Sequence, residues 1–574
     1  MSHGFMFNRR TLLAGSSAAG LVGMLAACGG NKGGGASNAE SASALGVGED
    51  IAKLVSVNPK ERSELKEGGE LKLPLNQIGP DFNMASQNGN SSYTAQLISA
   101  ISPITTTGLW VSDYEGTWTP NKDFCESFQE ELSDGVQTLK IKLNPKAKFN
   151  DGTAIDIKAL QATTEILRDG LDNGFNIVDA GPHAFIKSVE EDGDPYTVKV
   201  TMTQPYYPIA DVFGSGVFHP AVNDKKVFND GFVDKVHPEW QAGPFKLQEW
   251  NSSEKTATIV PNENWWGEKP LLERVTFRQM EASAQRAAFK NGEIDAVEAR
   301  TLTAYKDVEG QDGTEVRRGQ RLFAGGLNMS SFRLPVEMRK AIFAAVDRSA
   351  LAKVRFNGLN WNEQMPGSMM LMPFSEYYKD NFSEATKGWD AGKILEDAGY
   401  KKDGDFYKKG GKNAKFAVTT FGDDPVDAAL AQTLVQQMKD KGIECTIDNQ
   451  PDANFGTVLG NKDFDLTFSG YTVGSDATVA SRQYYHSANN DGEGSKDIDK
   501  LIDEAASMQD NKERNAKCNE IEKKHMAEFA MMGTLFNGPE IYVAKTGLAN
   551  YGAGLFGAQR YNPQMWSNIG WVKE

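Results

Sequence analysis

Residues 423–448 read DDPVDAALAQTLVQQMKDKGIECTID, a pattern that a helix running straight into a strand satisfies and little else does. Pro425 suits a first helical turn, where its missing N–H costs nothing, and Asp424 suits the cap before it. Val426, Leu430, Leu434 and Met438 recur at helical spacing and share one face. Gly442 closes the helix, and a strand follows at once.

The same alternation recurs along the chain. GGELKLPL (68–75) puts Leu71, Leu73 and Leu75 on one side of a strand. HAFIKSVEEDGDPYTVKVTM (183–202) reads as two strands joined at Asp192-Gly193, a hairpin signal. LPVEMRKAIFAAVDRSAL (334–351) reads as one helix with Pro335 in its first turn and Met338, Ile342, Ala345 and Val346 on one face. WDAGKILEDAGY (389–400) repeats the pattern with Ala391, Ile394, Leu395 and Ala398, then stops at Gly399. Strands alternating with helices imply an α/β architecture. The 574 residues exceed what one hydrophobic core organises, so several domains are expected.

The first residues are a separate matter. Arg9 and Arg10 precede an Ala/Gly/Ser/Leu run from Thr11 to Ala27. That run is shorter than the roughly 20 apolar residues of a membrane span. A basic start, a short apolar middle and small residues at the end read as an export signal. LAAC (25–28) resembles the lipobox of bacterial lipoproteins, in which the cysteine thiol takes diacylglycerol and becomes the new N-terminus. NRRTLL resembles a twin-arginine signal, and the weak apolar run fits that route as well as general secretion. Residues 29–47, almost all Gly, Ala, Ser and Asn, cannot offset their ordering entropy and read as a tether. Residues 1–28 are thus a signal ending at Cys28, and 29–68 lead to the folded body.

The net charge of −16, with no Lys/Arg cluster, excludes nucleic acid and anionic lipid as partners. Beyond Cys28 the cysteines are Cys125, Cys445 and Cys518, an odd number that reads as buried free thiols. Motifs of catalysis are missing. GAGLFG (552–557) matches a dinucleotide fingerprint, but Pro563 interrupts any following helix, and it reads as a flexible aromatic loop. His219-Pro220 and His237-Pro238 read as loop residues, and no Cys/His set has zinc spacing. No cofactor or metal is expected, and no enzyme activity is assigned.

Several stretches together resemble the family 5 extracellular solute-binding proteins of ATP-driven importers, the oligopeptide-, dipeptide- and nickel-binding group. They are AKFNDGTAIDIKAL, QAGPFKLQEW, NENWWGEKPLLERVTFRQM, AAFKNGEIDAVEA, LPVEMRKAIFAAVDRSALAKVRFNG, KGIECTI and DFDLTFSG, in the family's order. NPKERSELKEGGELKLPL is similar to an actinobacterial branch. Most of these motifs are structural: Asn150-Asp151-Gly152 and Gly243-Pro244 make turns, and Trp265 and Trp266 pack between elements.

The resemblance implies a two-lobed periplasmic-binding-protein-like α/β fold, type II, in its three-domain oligopeptide-binding variant with a hinged cleft. Residues 69–112, 239–325 and 546–574 would form domain I, 113–238 domain II and 326–545 domain III. The implied role is capture of peptides for an ABC permease by a monomer on the outer face of the cytoplasmic membrane, held there only by its lipid. The same fold serving another solute (a glycan, glycolipid or metal chelate), or a non-transport role in the envelope, is the alternative. Candidate ligand-binding residues are Asn76, Gln77, Tyr93, Trp110, Phe421, Tyr471 and Asp476. Peptide-binding relatives carry G-W-x-x-D-Y-x-D-P where this chain has GYTVGSDATVAS. Gly474 replaces the Asp that meets the peptide amine, and Asp476 falls near the second Asp of that pattern, either as an amine anchor or as a helix cap.

If Cys28 carries lipid, Cys28→Ser moves the protein from the membrane to the soluble fraction; a variant that still sediments with membranes removes the anchor. A diacylglyceryl group supplies two chains at about 0.8 kcal/mol per buried CH₂, enough for stable attachment.

Overall fold

The computed structural model describes residues 50–573, except 179, 423–424, 452–457, 460–461, 488–493 and 559–561. Cys28 and the helix cap expected at Asp424 lie outside the described residues.

Three β-sheets organise most of the body. One is four-stranded, in the order Glu70–Leu75, Arg274–Gln279, Thr256–Pro261, Phe245–Asn251. Its first pair is parallel and the others antiparallel. Leu71, Leu73 and Leu75 are buried, as their alternation requires. Their core also holds Leu548, Trp566 and Ile569 from the far end of the chain. Trp566 is fully buried and donates its indole N–H to Ser99 Oγ at 2.9 Å. A second four-stranded sheet is wholly antiparallel, in the order Cys125–Ser133, Val136–Leu143, Thr197–Met202, Ile186–Glu191. Its last two strands are the hairpin turned at Asp192-Gly193, where Gly193 has φ +98°. The helix Ile157–Asn173 packs on this sheet.

The third sheet has five strands, ordered Glu444–Gln450, Lys415–Phe421, Leu466–Thr472, Phe323–Met329, Met532–Phe536. The helix Pro425–Asp440 joins its first two parallel strands by the crossover read from the sequence, with Leu430, Leu434 and Met438 buried and Gly442 at φ +77°. A smaller sheet has the order Ala296–Glu298, Pro539–Lys545, Thr314–Gln320. Among the described residues no helix is long and apolar enough to cross a membrane.

Two expectations change. The single helix over 335–351 is two, Val336–Ala345 and Arg348–Arg355. Val346 turns extended, and Asp347 accepts the Ala350 N–H at 3.0 Å, so its side chain starts a new helix where apolar periodicity alone would continue the old one. Pro335 is the cap of the first helix and not part of its first turn. GAGLFG is not a loose loop. Leu555 and Phe556 are buried in a 3₁₀ turn, and a Cβ on Gly552 would stand 2.4 Å from the Ser56 carbonyl. Two backbones meet there, and glycine is what lets them.

Other expectations hold. Cys125, Cys445 and Cys518 are buried and unbridged, and burial pushes each thiol up to about 12. Trp265 and Trp266 pack against Phe124 at 5.8 and 5.5 Å. His219 and His237 start 3₁₀ turns in loops, yet both are buried against the Trp240 ring, His237 at 3.9 Å.

His525 carries a pH dependence. It is 1% exposed, 4.6 Å from the Tyr485 ring, and neither ring nitrogen has a hydrogen-bond partner among the described residues. Burial, helped by the Arg339 charge, pushes its pKa from 6.5 down to about 3. The unfolded chain therefore takes up this proton first, and the stability that His525 contributes is present above pH 6.5 and lost as pH falls towards 3. In urea unfolding across that window, wild type should lose up to about 1.4 kcal/mol per pH unit relative to His525→Phe. Parallel pH profiles would assign the dependence elsewhere.

Candidate functional site

A cavity of about 1090 Å³ opens between two walls. One wall comes from the segments around Thr105–Trp110, Glu115–Trp118 and Tyr207–Ser215. The other comes from Phe374–Tyr377, from Thr472–Asp476 at the end of the strand Leu466–Thr472, and from the helices Ala477–Tyr485 and Asn511–Glu528. The walls touch. Trp118 donates its indole N–H to Ser475 Oγ at 3.2 Å, and the Tyr207 amide donates to the Ala506 carbonyl at 2.9 Å.

The lining is acidic. Among the described residues that line it, Asp50, Glu115, Asp211, Glu376 and Asp476 are acidic and Arg514 is the one guanidinium. Asp211 Oδ2 accepts the Tyr206 hydroxyl at 3.0 Å, and burial holds that phenol well above its ordinary pKa. Arg514 is 5% exposed and meets Asp476 Oδ2 at 3.1 Å, the Asn511 side chain at 2.8 Å and the Met508 carbonyl at 2.9 Å. The other Asp476 oxygen accepts the Thr478 N–H at 2.7 Å and caps the helix Ala477–Tyr485. Asp476 therefore does two structural jobs on the cavity wall: it ends a strand-to-helix turn and neutralises a buried cation.

Of the residues singled out in the sequence, Trp110 and Asp476 line this cavity. The Trp110 indole N–H is taken by the Val212 carbonyl at 2.9 Å, which leaves its ring as the contact surface. Tyr471 lies behind the wall, its ring 4.6 Å from Tyr484, and burial pushes its phenol up to about 12. Asn76, Gln77, Tyr93 and Phe421 stand outside it. Asn76 accepts from Gln285 at 2.7 Å, and Gln77 donates to the Gly79 carbonyl at 2.9 Å. Tyr93 lies on the helix Ser92–Ile101, within electrostatic reach of Glu298, Arg300 and Arg321. Phe421 ends the strand Lys415–Phe421. Trp118, Tyr207, Glu376 and Arg514 were not legible as site residues, because they come from a short strand, two loops and one helix that only the tertiary fold assembles. Among the described residues no three His, Cys, Asp or Glu side chains are grouped to hold a metal.

The description "Bacterial extracellular solute-binding proteins, family 5 Middle" matches residues 117–493. The chain belongs to the family 5 extracellular solute-binding proteins. It is 25% identical over 533 residues to the oligopeptide-binding protein OppA of Mycobacterium bovis, covering 90% of this chain and 87% of that one. The fold matches the periplasmic EDTA-binding protein EppA with a TM-score of 0.79 at 21% identity, over 92% of this chain and 100% of that one. It matches the oligopeptide-binding protein AppA of Bacillus subtilis, solved with a nonapeptide, with a TM-score of 0.70 at 18% identity, over 89% and 100%. The architecture is thus the type II periplasmic-binding-protein fold of family 5, and family 5 proteins are solute-binding components of transporters.

The two roles of Asp476 separate by substitution. Both variants remove the charge opposite Arg514; Asp476→Asn keeps a capping oxygen and should cost about 1 kcal/mol, whereas Asp476→Ala loses the cap as well and should cost about 2–4 kcal/mol in chemical denaturation. Equal costs for the two variants would show that the cap adds nothing to stability and that the ion pair carries the whole effect.

Proposed function

We propose that this chain is the lipid-anchored receptor of an ABC importer that captures peptides outside the cytoplasmic membrane and hands them to a permease. The observation that carries this reading is the acidic cavity: five carboxylates against one guanidinium, in a space large enough for a short peptide. Low-dielectric walls of one charge sign concentrate a solute of the opposite sign. A peptide's ammonium group meets that field, and extended backbone pairs with the wall as an added strand does. The similarity to an oligopeptide-binding protein over most of both chains supports the substrate class, and the mycobacterial relative fits an actinobacterial lipoprotein tethered at Cys28.

In this reading residues 69–112, 239–325 and 546–574 form domain I, 113–238 domain II and 326–545 domain III. The lobes of a monomer close on the solute, and the closed shape is what the permease recognises. Trp110 offers its ring to the solute, while Asn76, Gln77, Tyr93, Phe421 and Tyr471 serve the parts of the cleft beyond the acidic chamber. The Arg514 contact favours a second reading, a non-peptide solute on the same fold, because it occupies the carboxylate nearest the family's amine-binding stretch.

The test is the solute itself. Protein purified from its native membrane, denatured and analysed by mass spectrometry, should release peptides with free amino termini. Those peptides should shrink the radius of gyration in small-angle scattering. N-acetylation should weaken binding to wild type at least tenfold, and Asp476→Asn should keep part of that preference because Glu115, Asp211 and Glu376 remain. Release of a glycan or a metal chelate instead would overturn the peptide reading.

A further inference from the structure

Asp50 and Ile51 line the chamber, yet they precede the first strand of the body, Glu70–Leu75. Asp50 starts a 3₁₀ turn, Ile51–Leu54, and its carboxylate accepts the Ala52 N–H at 3.0 Å. Beyond the turn the chain is stitched to the C-terminal end. Ser56 and Ala553 exchange backbone hydrogen bonds at 2.8 and 3.0 Å, and the Val57 carbonyl accepts the Tyr551 N–H at 3.0 Å. Arg62 donates to the Ser567 carbonyl at 2.9 Å, and Leu65 bridges to Val572.

The turn itself is held in another way. Leu54 is 3% exposed in an apolar cluster, and Ile51 and Val55 pack against the same cluster. Met372, Phe374, Val473 and Phe556 belong both to that cluster and to the chamber wall, so Leu54 is seated on the back of the wall that Ile51 completes. Asp50, Ala52 and Lys53 are exposed. Among the described residues no hydrogen bond or ion pair joins residues 50–55 to the rest of the body. A tip seated by apolar contact on a hydrogen-bonded root opens locally before the root does. Residues 29–49 join Asp50 to Cys28, so an anchor at that cysteine holds the body by the edge of the chamber.

We propose that residues 50–54 are a strap that forms one side of the solute chamber, in which Asp50 and Ile51 meet the solute and Leu54 is the positioning residue that seats them. This rests on the reading of that chamber as the solute site. A carboxylate next to an aliphatic side chain suits an ammonium group that lies beside an apolar group. The anchor and the solute then share one short piece of chain.

Seating is read by thiol labelling. Ala480 lines the chamber and is 8% exposed, and the cysteines of the body are buried. Ala480→Cys is introduced into the full-length chain with Cys28→Ser, and its reaction with a maleimide is timed. Adding Leu54→Ser should speed the reaction at least fivefold, and Leu54→Met, which refills the seat, should restore the parent rate. A serine variant that labels at the parent rate overturns the strap. If it fails to fold, Ile51→Ser carries the test: a gain of at least twofold is expected, and an unchanged rate overturns the strap equally.

Contact is read by titrating the full-length protein in detergent with a tryptic casein digest. Asp50→Asn and Ile51→Ser should each weaken binding at least threefold, and wild-type affinity in either removes that residue from the site. A digest that wild type does not bind defeats the peptide reading but not this one, which spermidine then decides. Spermidine should raise the melting temperature of wild type more than that of Asp50→Asn. An equal rise in both proteins, or none in wild type, overturns the assignment of Asp50.

Discussion

The strand Leu466–Thr472 is held from both sides, parallel to Lys415–Phe421 and antiparallel to Phe323–Met329. Everything on the second wall of the cavity depends on this. The strand delivers Thr472–Asp476 to the cavity, and the Asp476 cap then turns the chain into the helix Ala477–Tyr485. That helix packs on Asn511–Glu528, which supplies Arg514. One doubly paired strand thus fixes a carboxylate and its guanidinium with little freedom. A one-residue slip of such a strand would turn every side chain to the wrong face.

Phe323–Met329 lies beside that strand and follows, within three residues, the strand Thr314–Gln320 of the small sheet. Arg300, which follows the strand Ala296–Glu298 of the small sheet, pairs with Glu298 and Glu540, whereas the acidic chamber lies at the end of a strand of the five-stranded sheet.

Local signals made much of the architecture legible. Pro425, Leu430, Leu434, Met438 and Gly442 mark a crossover helix through effects confined to a few turns, and the structure has it. Asp192-Gly193 marks a hairpin for the same reason. The break at Val346 was missed because Asp347 competes for a backbone N–H, which apolar periodicity does not register. GAGLFG looked loose because its partners, Ser56 and Arg317, are hundreds of residues away. The site follows the same rule. Asp476 sits in a motif-bearing stretch and Trp110 came from the family resemblance, whereas Trp118, Tyr207, Glu376 and Arg514 reach the cavity only through long-range packing.

Two hydrogen bonds that cross beside the cavity, Trp118 to Ser475 and Tyr207 to Ala506, are both neutral. Each is worth roughly 0.5–1.5 kcal/mol net, so together they bias the walls towards each other by only a few kcal/mol. Such a bias leaves a minor open population that exchanges readily. The walls therefore set how often the chamber admits a visitor, and the visitor's own contacts set how long it stays.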